Sequence, residues 1–111
     1  MSKHILIYTN CKNQKQADEI ISSLLDHKLI ACANSYPVDS KYSWKGKIVS
    51  EKEITIRLKT ISKNYKRIET EILRLHSDEI PEILEVGIVG GLESYLNWVD
   101  EQTSQTQKVQ M

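Results

Sequence analysis

A long two-stranded ribbon is the feature that most constrains how this chain folds. Within residues 29–60, the second half alternates apolar with polar side chains, and Gly46 lies in a short polar turn between the two arms. Period-two alternation is typical of a strand with one buried side and one solvent-facing side. An arm of about a dozen residues at about 3.3 Å per residue extends about 40 Å, whereas a domain of this length has a radius of gyration of about 13 Å. We therefore expect the tip of the ribbon to project beyond the body of one subunit.

Two large aromatic side chains, Tyr42 and Trp44, lie close to that tip. Amphipathic aromatic residues are costly to leave in water and are enriched at protein interfaces. We predict that both residues belong to an oligomer interface. Pro37 has no N–H group to donate to a neighbouring strand, so it predicts a bulge or bend in the first arm.

The remaining segments complete an α+β fold. The predicted elements are a strand over 3–9 buried on both faces, a helix capped by Asn13 with Gln16, the two ribbon arms, a helix capped by Ser62, a buried strand over 83–89 and a short helix through Val99. This order is the split βαβ pattern of ferredoxin-like folds, with an extended β-hairpin and an extra C-terminal helix. Two right-handed crossovers place both main helices on one sheet face and leave the other face bare. We expect one domain over 1–101 and a flexible polar tail over 102–111.

Composition argues against several classes of partner. Fifteen basic and fifteen acidic side chains cancel, so no overall field attracts nucleic acid or an anionic membrane. The N-terminal sequence does not resemble a signal peptide, and no apolar run is long enough to cross a bilayer. Cys11 and Cys32 lie in different elements without a paired motif, so both are expected to be free thiols. These features predict a cytoplasmic protein with no nucleic-acid or membrane partner.

Several stretches together resemble one known family. They are 29–34 after the first helix, 42–47 at the ribbon tip, 58–60 at the ribbon end, His76 with 81–83, and 95–98 near the C-terminus. In this order they are similar to the CutA divalent-cation tolerance proteins over most of the chain. The resemblance implies a ferredoxin-like homotrimer in which three ribbons pair edge to edge around a threefold axis. It also implies a non-enzymatic role in divalent metal ion tolerance.

The resemblance also implies a possible copper site. In some family members a cysteine in the first strand and two adjacent histidines after the second helix are proposed ligands. Thr9 and Leu75 occupy two of these positions here, which leaves His76 as the candidate metal ligand. His76 precedes the oxygen donors of Asp78, Glu79 and Glu82, and such a mixed set suits borderline ions such as zinc or copper. The alternative is a solvated helix end. No cofactor is required, and weak binding of copper or another divalent cation is the expectation.

Two other functions stay open at this point. One is a small-molecule or anion sensor, or a signalling adaptor, that binds ligands in clefts between subunits. The other is a hydrolase of small phosphorylated or acylated compounds, which would need convergent acid, base or nucleophilic groups. Cys32 lies in an apolar stretch, and free cysteine is among the most buried residue types, so a core position is favoured over a nucleophile. We expect no enzymatic activity.

Overall fold

Four strands form one antiparallel sheet, with two helices on one face and a third helix on the other. The computed structural model describes residues 2–104. Its elements are β1 (His4–Cys11), α1 (Gln14–Asp26), β2 (Cys32–Trp44), β3 (Lys47–Ile61), α2 (Tyr65–Leu75), β4 (Ile83–Gly87) and α3 (Glu93–Gln102). The strands lie in the order β2-β3-β1-β4, and neighbouring strands are antiparallel. The predicted ferredoxin-like α+β fold, with its long hairpin and extra C-terminal helix, is confirmed.

The main core lies between the helices α1 and α2 and one face of the sheet. Alternate residues of β1, among them Ile5 and Ile7, are fully buried against this layer. The helices contribute the side chains that the 3.6-residue spacing predicts: Ala17, Ile20 and Leu24 from α1, and Ile68 and Ile72 from α2. The prediction that β1 is buried on both faces is only half correct. Its other residues are mostly half-buried, because no helix of this layer covers that side.

The start of α1 follows the sequence prediction in part. The Oδ1 atom of Asn13 accepts a hydrogen bond from the Gln16 amide at 2.9 Å, so Asn13 caps the helix. The Gln16 side chain does not return to the Asn13 backbone. It accepts from the Lys12 amide at 3.0 Å and donates to Ser77 Oγ at 3.0 Å. Gln16 thereby connects the start of α1 to the segment that follows α2.

The prediction that Ser62 caps the second helix is wrong. Ser62–Asn64 form a single 3₁₀ turn, and the residue that precedes α2 makes no capping hydrogen bond through its side chain. Asn64 instead donates from Nδ2 to the Leu29 carbonyl oxygen at 3.1 Å. The buried carbonyl at the entry of the ribbon competes for the polar side chain that would otherwise cap the helix.

The ribbon is regular throughout its length. Pairing runs from Cys32 opposite Lys59 to Trp44 opposite Lys47, and Pro37 lies opposite Ile54 without a skipped residue. The predicted bulge or bend at Pro37 therefore does not interrupt the pairing. The reason is that β2 is an edge strand, where a residue whose nitrogen points away from the sheet has no ladder bond to lose.

The tight turn at the tip and the overall shape agree with a projecting ribbon. Lys45 and Gly46 both have positive φ angles, 50° and 78°, as expected for the two-residue turn that matches strand twist. The described chain measures 50 × 31 × 21 Å and has a radius of gyration of 15.1 Å, above the roughly 13 Å expected for a domain of this length.

The second face of the sheet, here called the open face, is covered only in part. α3 packs at one end of it, where His4 Nε2 lies 2.8 Å from Asp100 Oδ1 and Val99 joins a small cluster with Ala31 and Ile61. β4 was predicted to be a buried strand, and this is wrong because its side chains on the open face meet no second layer. Leu84 and Val86 are 53% and 43% exposed.

The C-terminal boundary differs slightly from the predicted one. α3 continues to Gln102, and Thr103 is buried, with its hydroxyl donating to the Val99 carbonyl oxygen at 2.9 Å. Ordered structure therefore extends past residue 101, and residues 105–111 of the predicted tail lie outside the described chain. Within residues 2–104, no helix combines the length and apolar character needed to cross a membrane.

We predict that Glu71→Gln destabilises the fold in a pH-dependent way. Glu71 joins the two helices by accepting from Ser23 of α1 and from Arg74 Nη2 at 2.7 Å. The hydrogen bonds from Arg74 and Ser23 lower the pKa of Glu71 from 4.5 to about 2. A pKa that is lower in the folded state means that the carboxylate stabilises the protein above about pH 4.5, and that this contribution is lost as the pH falls toward 2.

Urea unfolding at a series of pH values measures this effect. The free energy of unfolding of Glu71→Gln should lie below that of the wild type at pH 7, and the difference should shrink on acidification. Glu19→Gln, on the exposed side of α1, is the matched control. A difference that stays constant across the whole pH range would contradict the assignment to Glu71.

Candidate functional site

A cleft of about 810 Å³ lies between the ribbon and the segment that follows α2. Its walls are mostly polar. They are formed by Asn10 of β1, by Asp39, Ser40, Lys41, Tyr42, Trp44, Glu51 and Glu53 of the ribbon, and by Ser77, Asp78, Glu79, Ile80, Pro81 and Glu82. The regular pairing of β2 with β3 and the end of α2 at Leu75 place these three groups side by side.

The cleft is strongly acidic. Its lining residues include six carboxylates and one lysine, Lys41, so the concave surface concentrates a negative potential. Tyr42 Oη donates to Glu51 Oε1 at 2.6 Å, and this hydrogen bond is the main cause that raises the pKa of Tyr42 to about 12. The phenol therefore stays protonated and oriented near neutral pH. The arrangement can attract cations.

Asn10 holds the inner end of the cleft together. Its Nδ2 lies 3.4 Å from Glu53 Oε1 and 3.4 Å from Glu82 Oε1, and its Oδ1 accepts from Thr55 Oγ1 at 2.6 Å. Sequence reasoning placed Asn10 in a polar turn and missed this role. No local signal could have revealed it, because the contacts arise from the register that sets Asn10 opposite Thr55.

Both ring nitrogens of His76 form hydrogen bonds to residues that line this cleft, Asn10 and Asp78. Its Nε2 lies 2.6 Å from the Asn10 carbonyl oxygen, which can only accept, so Nε2 carries the proton. Its Nδ1 accepts from the Asp78 amide at 3.0 Å. The neutral ring thus attaches the start of the 77–82 segment to β1. A metal ion could reach either nitrogen only by displacing one of these bonds.

The buried thiol next to Asn10 is unreactive. Cys11 is fully buried in the core, and burial is the main cause that raises the pKa of its thiol to about 11, with further contributions from Asp78 and Glu53. Near neutral pH it therefore stays a thiol rather than the thiolate that binds metals or attacks electrophiles. Cys32 was predicted to be a core residue, but it lies half-buried on the open face, 4.0 Å from Lys59 Nζ.

The residues at the implied copper positions do not fit a copper site. Thr9 is fully buried, and its Oγ1 has no hydrogen-bond partner among the described residues. Leu75 packs against the core and offers no donor atom. Copper prefers thiolate and imidazole ligands. Across residues 2–104, no group of three or more His, Cys, Asp or Glu side chains is arranged to hold a metal ion.

The predicted interface residues lie where the sequence placed them, on the projecting ribbon. Tyr42 and Trp44 are 40% and 36% exposed, and the Lys45 ammonium lies 5.6 Å from the centre of the Trp44 ring. Both aromatic residues also line the cleft. Their role in assembly stays a prediction.

Comparison with known proteins assigns the family. A family model described as CutA1 divalent ion tolerance protein matches residues 5–102. The chain belongs to the CutA1 family. A divalent-cation tolerance protein CutA from Thermotoga maritima is 38% identical over 97 residues, which cover 87% of this chain and 96% of the relative. CutA1 proteins are thus named for tolerance of divalent cations rather than for a reaction.

Solved structures agree with this assignment. CutA from Archaeoglobus fulgidus superposes with a TM-score of 0.90 at 34% identity, covering 91% of this chain and 99% of that chain. The split βαβ sheet with its long ribbon is therefore the architecture of the CutA1 family, as the sequence resemblance implied.

The prediction of a cytoplasmic location is wrong. The Archaeoglobus fulgidus structure is described as a periplasmic divalent cation tolerance protein. Protein CutA from Arabidopsis thaliana, 29% identical over 100 residues that cover 89% of this chain and 55% of the relative, is described as chloroplastic. These two relatives are thus described for two different compartments, neither of them the cytoplasm.

We predict that His76→Ala loosens the 77–82 segment without unfolding the core. The substitution removes both ring hydrogen bonds, which is worth about 1–3 kcal/mol of local stability. Amide hydrogen exchange should become faster at residues 77–82 and stay unchanged in α1. His27→Ala, at the end of α1 and away from the cleft, is the histidine control. Unchanged exchange at 77–82 would show that the ring does not hold this segment.

Proposed function

We propose that this chain is a non-catalytic divalent-cation tolerance protein that works as a homotrimer and binds cations, copper included, only weakly. Membership of the CutA1 family over residues 5–102 is the observation that carries the proposal. The absence of a catalytic role is supported by the protonated Cys11 thiol and by the hydrogen-bonded His76 ring. Membership of a tolerance family does not favour the sensor, adaptor or hydrolase alternatives.

The open face and the ribbon support self-assembly. The partly or largely exposed apolar side chains on and around this face are Tyr36, Leu84, Val86, Leu92, Tyr95 and Trp98. Exposed apolar surface of this kind is typical of protein interfaces. Among residues 2–104, both outer strands, β2 and β4, also have an edge without a strand partner, which can pair with another strand. A closed ring of copies uses both edges in every subunit and leaves no edge free.

Trp44→Ala should weaken the trimer while leaving each subunit folded. Truncation of a large aromatic residue at an interface typically costs about 2 kcal/mol or more, which is a roughly thirtyfold rise in the dissociation constant. Light scattering over a dilution series measures the assembly, and far-UV circular dichroism measures the helices. Leu73→Ala, on the exposed side of α2, is the apolar control. If the Trp44→Ala protein and the wild type dissociate at the same protein concentration, Trp44 does not contribute to the interface.

The acidic cleft supplies the cation contact in this proposal. Carboxylates suit hard ions such as Mg²⁺, whereas copper prefers imidazole. A copper ion can coordinate His76 Nδ1 only when the Asp78 amide no longer donates a hydrogen bond to it. The site is therefore not preorganised, and its affinity for copper is low. Copper binding and magnesium binding should therefore respond differently to the loss of His76.

Calorimetric titration tests this difference. His76→Ala should weaken Cu²⁺ binding by about tenfold or more and leave Mg²⁺ binding unchanged, because the carboxylates are retained. His27→Ala should behave as the wild type with both ions. If His76→Ala and the wild type bind Cu²⁺ equally, His76 is not a ligand.

A further inference from the structure

We infer that charges along the open face of β3 set the alignment between neighbouring copies: Arg57 and Lys59 of one copy meet Glu51 and Glu53 of the next. The inference rests on the homotrimer proposed above and specifies which parts of two subunits come together. We call Arg57 and Lys59 the basic section and Glu51 and Glu53 the acidic section of β3. The partner that binds the basic section is a second copy of this chain.

The four residues share one side of one strand. They lie at alternate positions of β3, so their side chains point to the same face. The register identifies that face as the open one, because Lys59 lies opposite Leu6 and Cys32, on the side away from the buried Ile7 and Leu58. The basic pair lies above the body of the subunit, and the acidic pair lies toward the projecting tip.

Neither cation has a carboxylate partner among residues 2–104. Arg57 donates from Nη2 and Nε to Asn34 Oδ1, at 3.1 Å and 3.4 Å, and Lys59 lies beside the Cys32 thiol. Both side chains are half-buried. The ion pairs found among residues 2–104 include neither of them. Partly desolvated cations of this kind gain most from a partner that brings negative charge.

The acidic section, Glu51 and Glu53, also forms no ion pair with a cation in the described part of the chain. Glu51 accepts from the Tyr42 hydroxyl, and Glu53 lies within 3.4 Å of the Asn10 amide group. The opposite side of the same ribbon behaves differently, since Lys52 and Asp39 there form an ion pair at 2.8 Å. Among residues 2–104, the opposite side of the ribbon thus holds an ion pair, whereas these four charges on the open side belong to none.

Separation along the strand explains why the four charges cannot neutralise each other within one copy. At about 3.3 Å per residue, the nearest opposite charges, Glu53 and Arg57, lie about 13 Å apart along the strand, and Glu51 and Lys59 lie about 26 Å apart. Both separations exceed the screening length of about 8–10 Å in physiological salt. An alignment that superposes like sections of two copies is repulsive. A shifted alignment places the acidic section of one projecting ribbon on the basic section of the next subunit, and in a closed ring every copy does both.

Charge reversal tests the alignment. One variant carries Arg57→Glu with Lys59→Glu, a second carries Glu51→Lys with Glu53→Lys, and a third combines all four substitutions. The dissociation concentration from light scattering should rise at least about tenfold in each double variant and return toward the wild-type value in the combined variant. The control is Lys15→Glu with Arg67→Glu on the exposed helical layer, which makes the same change in net charge as the first variant.

Salt dependence provides a second measurement on the unmodified protein. Raising the ionic strength from about 0.05 M to about 0.5 M should weaken wild-type assembly, because screening reduces attraction between charged surfaces. Circular dichroism of every variant checks that the subunits are folded. If a double variant does not fold, the salt dependence of the wild type decides the question.

The outcomes separate this inference from the homotrimer. If the wild-type protein is monomeric at micromolar concentrations, the homotrimer proposal itself is contradicted. A trimeric wild type with double variants that assemble equally well overturns the charge alignment alone. The same conclusion follows if the combined variant stays as weak as the double variants, or if the wild type shows no salt dependence, because another partner or none would then occupy the basic section.

Discussion

The antiparallel pairing of β1 with β3 is the interaction on which the rest of the structure depends. It sets Ile7 opposite Leu58 and Thr9 opposite Ile56, so that one sheet face presents a continuous apolar surface to α1 and α2. A shift by one residue would turn every one of these side chains to the other face. The same pairing holds the base of the ribbon, from which β2 and β3 continue as a two-stranded arm.

The acidic cleft is a consequence of that register. Asn10 comes last but one in β1, and its pairing with Thr55 brings the end of β1 to the ribbon carboxylates. His76 then attaches the segment after α2 to the Asn10 carbonyl oxygen. The imidazole ring thus connects two segments of the cleft wall through hydrogen bonds, and a metal ion that binds the ring would have to break one of them. This explains how a CutA1 chain can keep the family architecture without the ligands that the resemblance implies at Thr9 and Leu75.

The open face has a different physical character from the helical face. Its exposed apolar side chains lie on β4 and α3, its charged side chains lie on β3, and α3 covers only one end. In a single subunit, the described part of this face therefore exposes apolar surface to solvent and carries charges that form no ion pair. The proposed assembly through this face would cover the apolar area and pair the charges, and the proposed contact between the acidic and basic sections of β3 would give it a direction.

Sequence alone was sufficient for the type and order of the elements, the cap at Asn13, the projecting ribbon and the family, because periodicity and short motifs are local properties. It could not determine burial of β4, the uninterrupted pairing at Pro37 or the failure of Ser62 to cap α2. Each of these depends on which strand lies at an edge and which carbonyl lies nearby. For the site, sequence identified His76 and the tip aromatics but not Asn10 or the hydrogen bonds that occupy the imidazole. Only the tertiary structure decided those, since residues far apart in the chain meet through strand register and not through any local pattern.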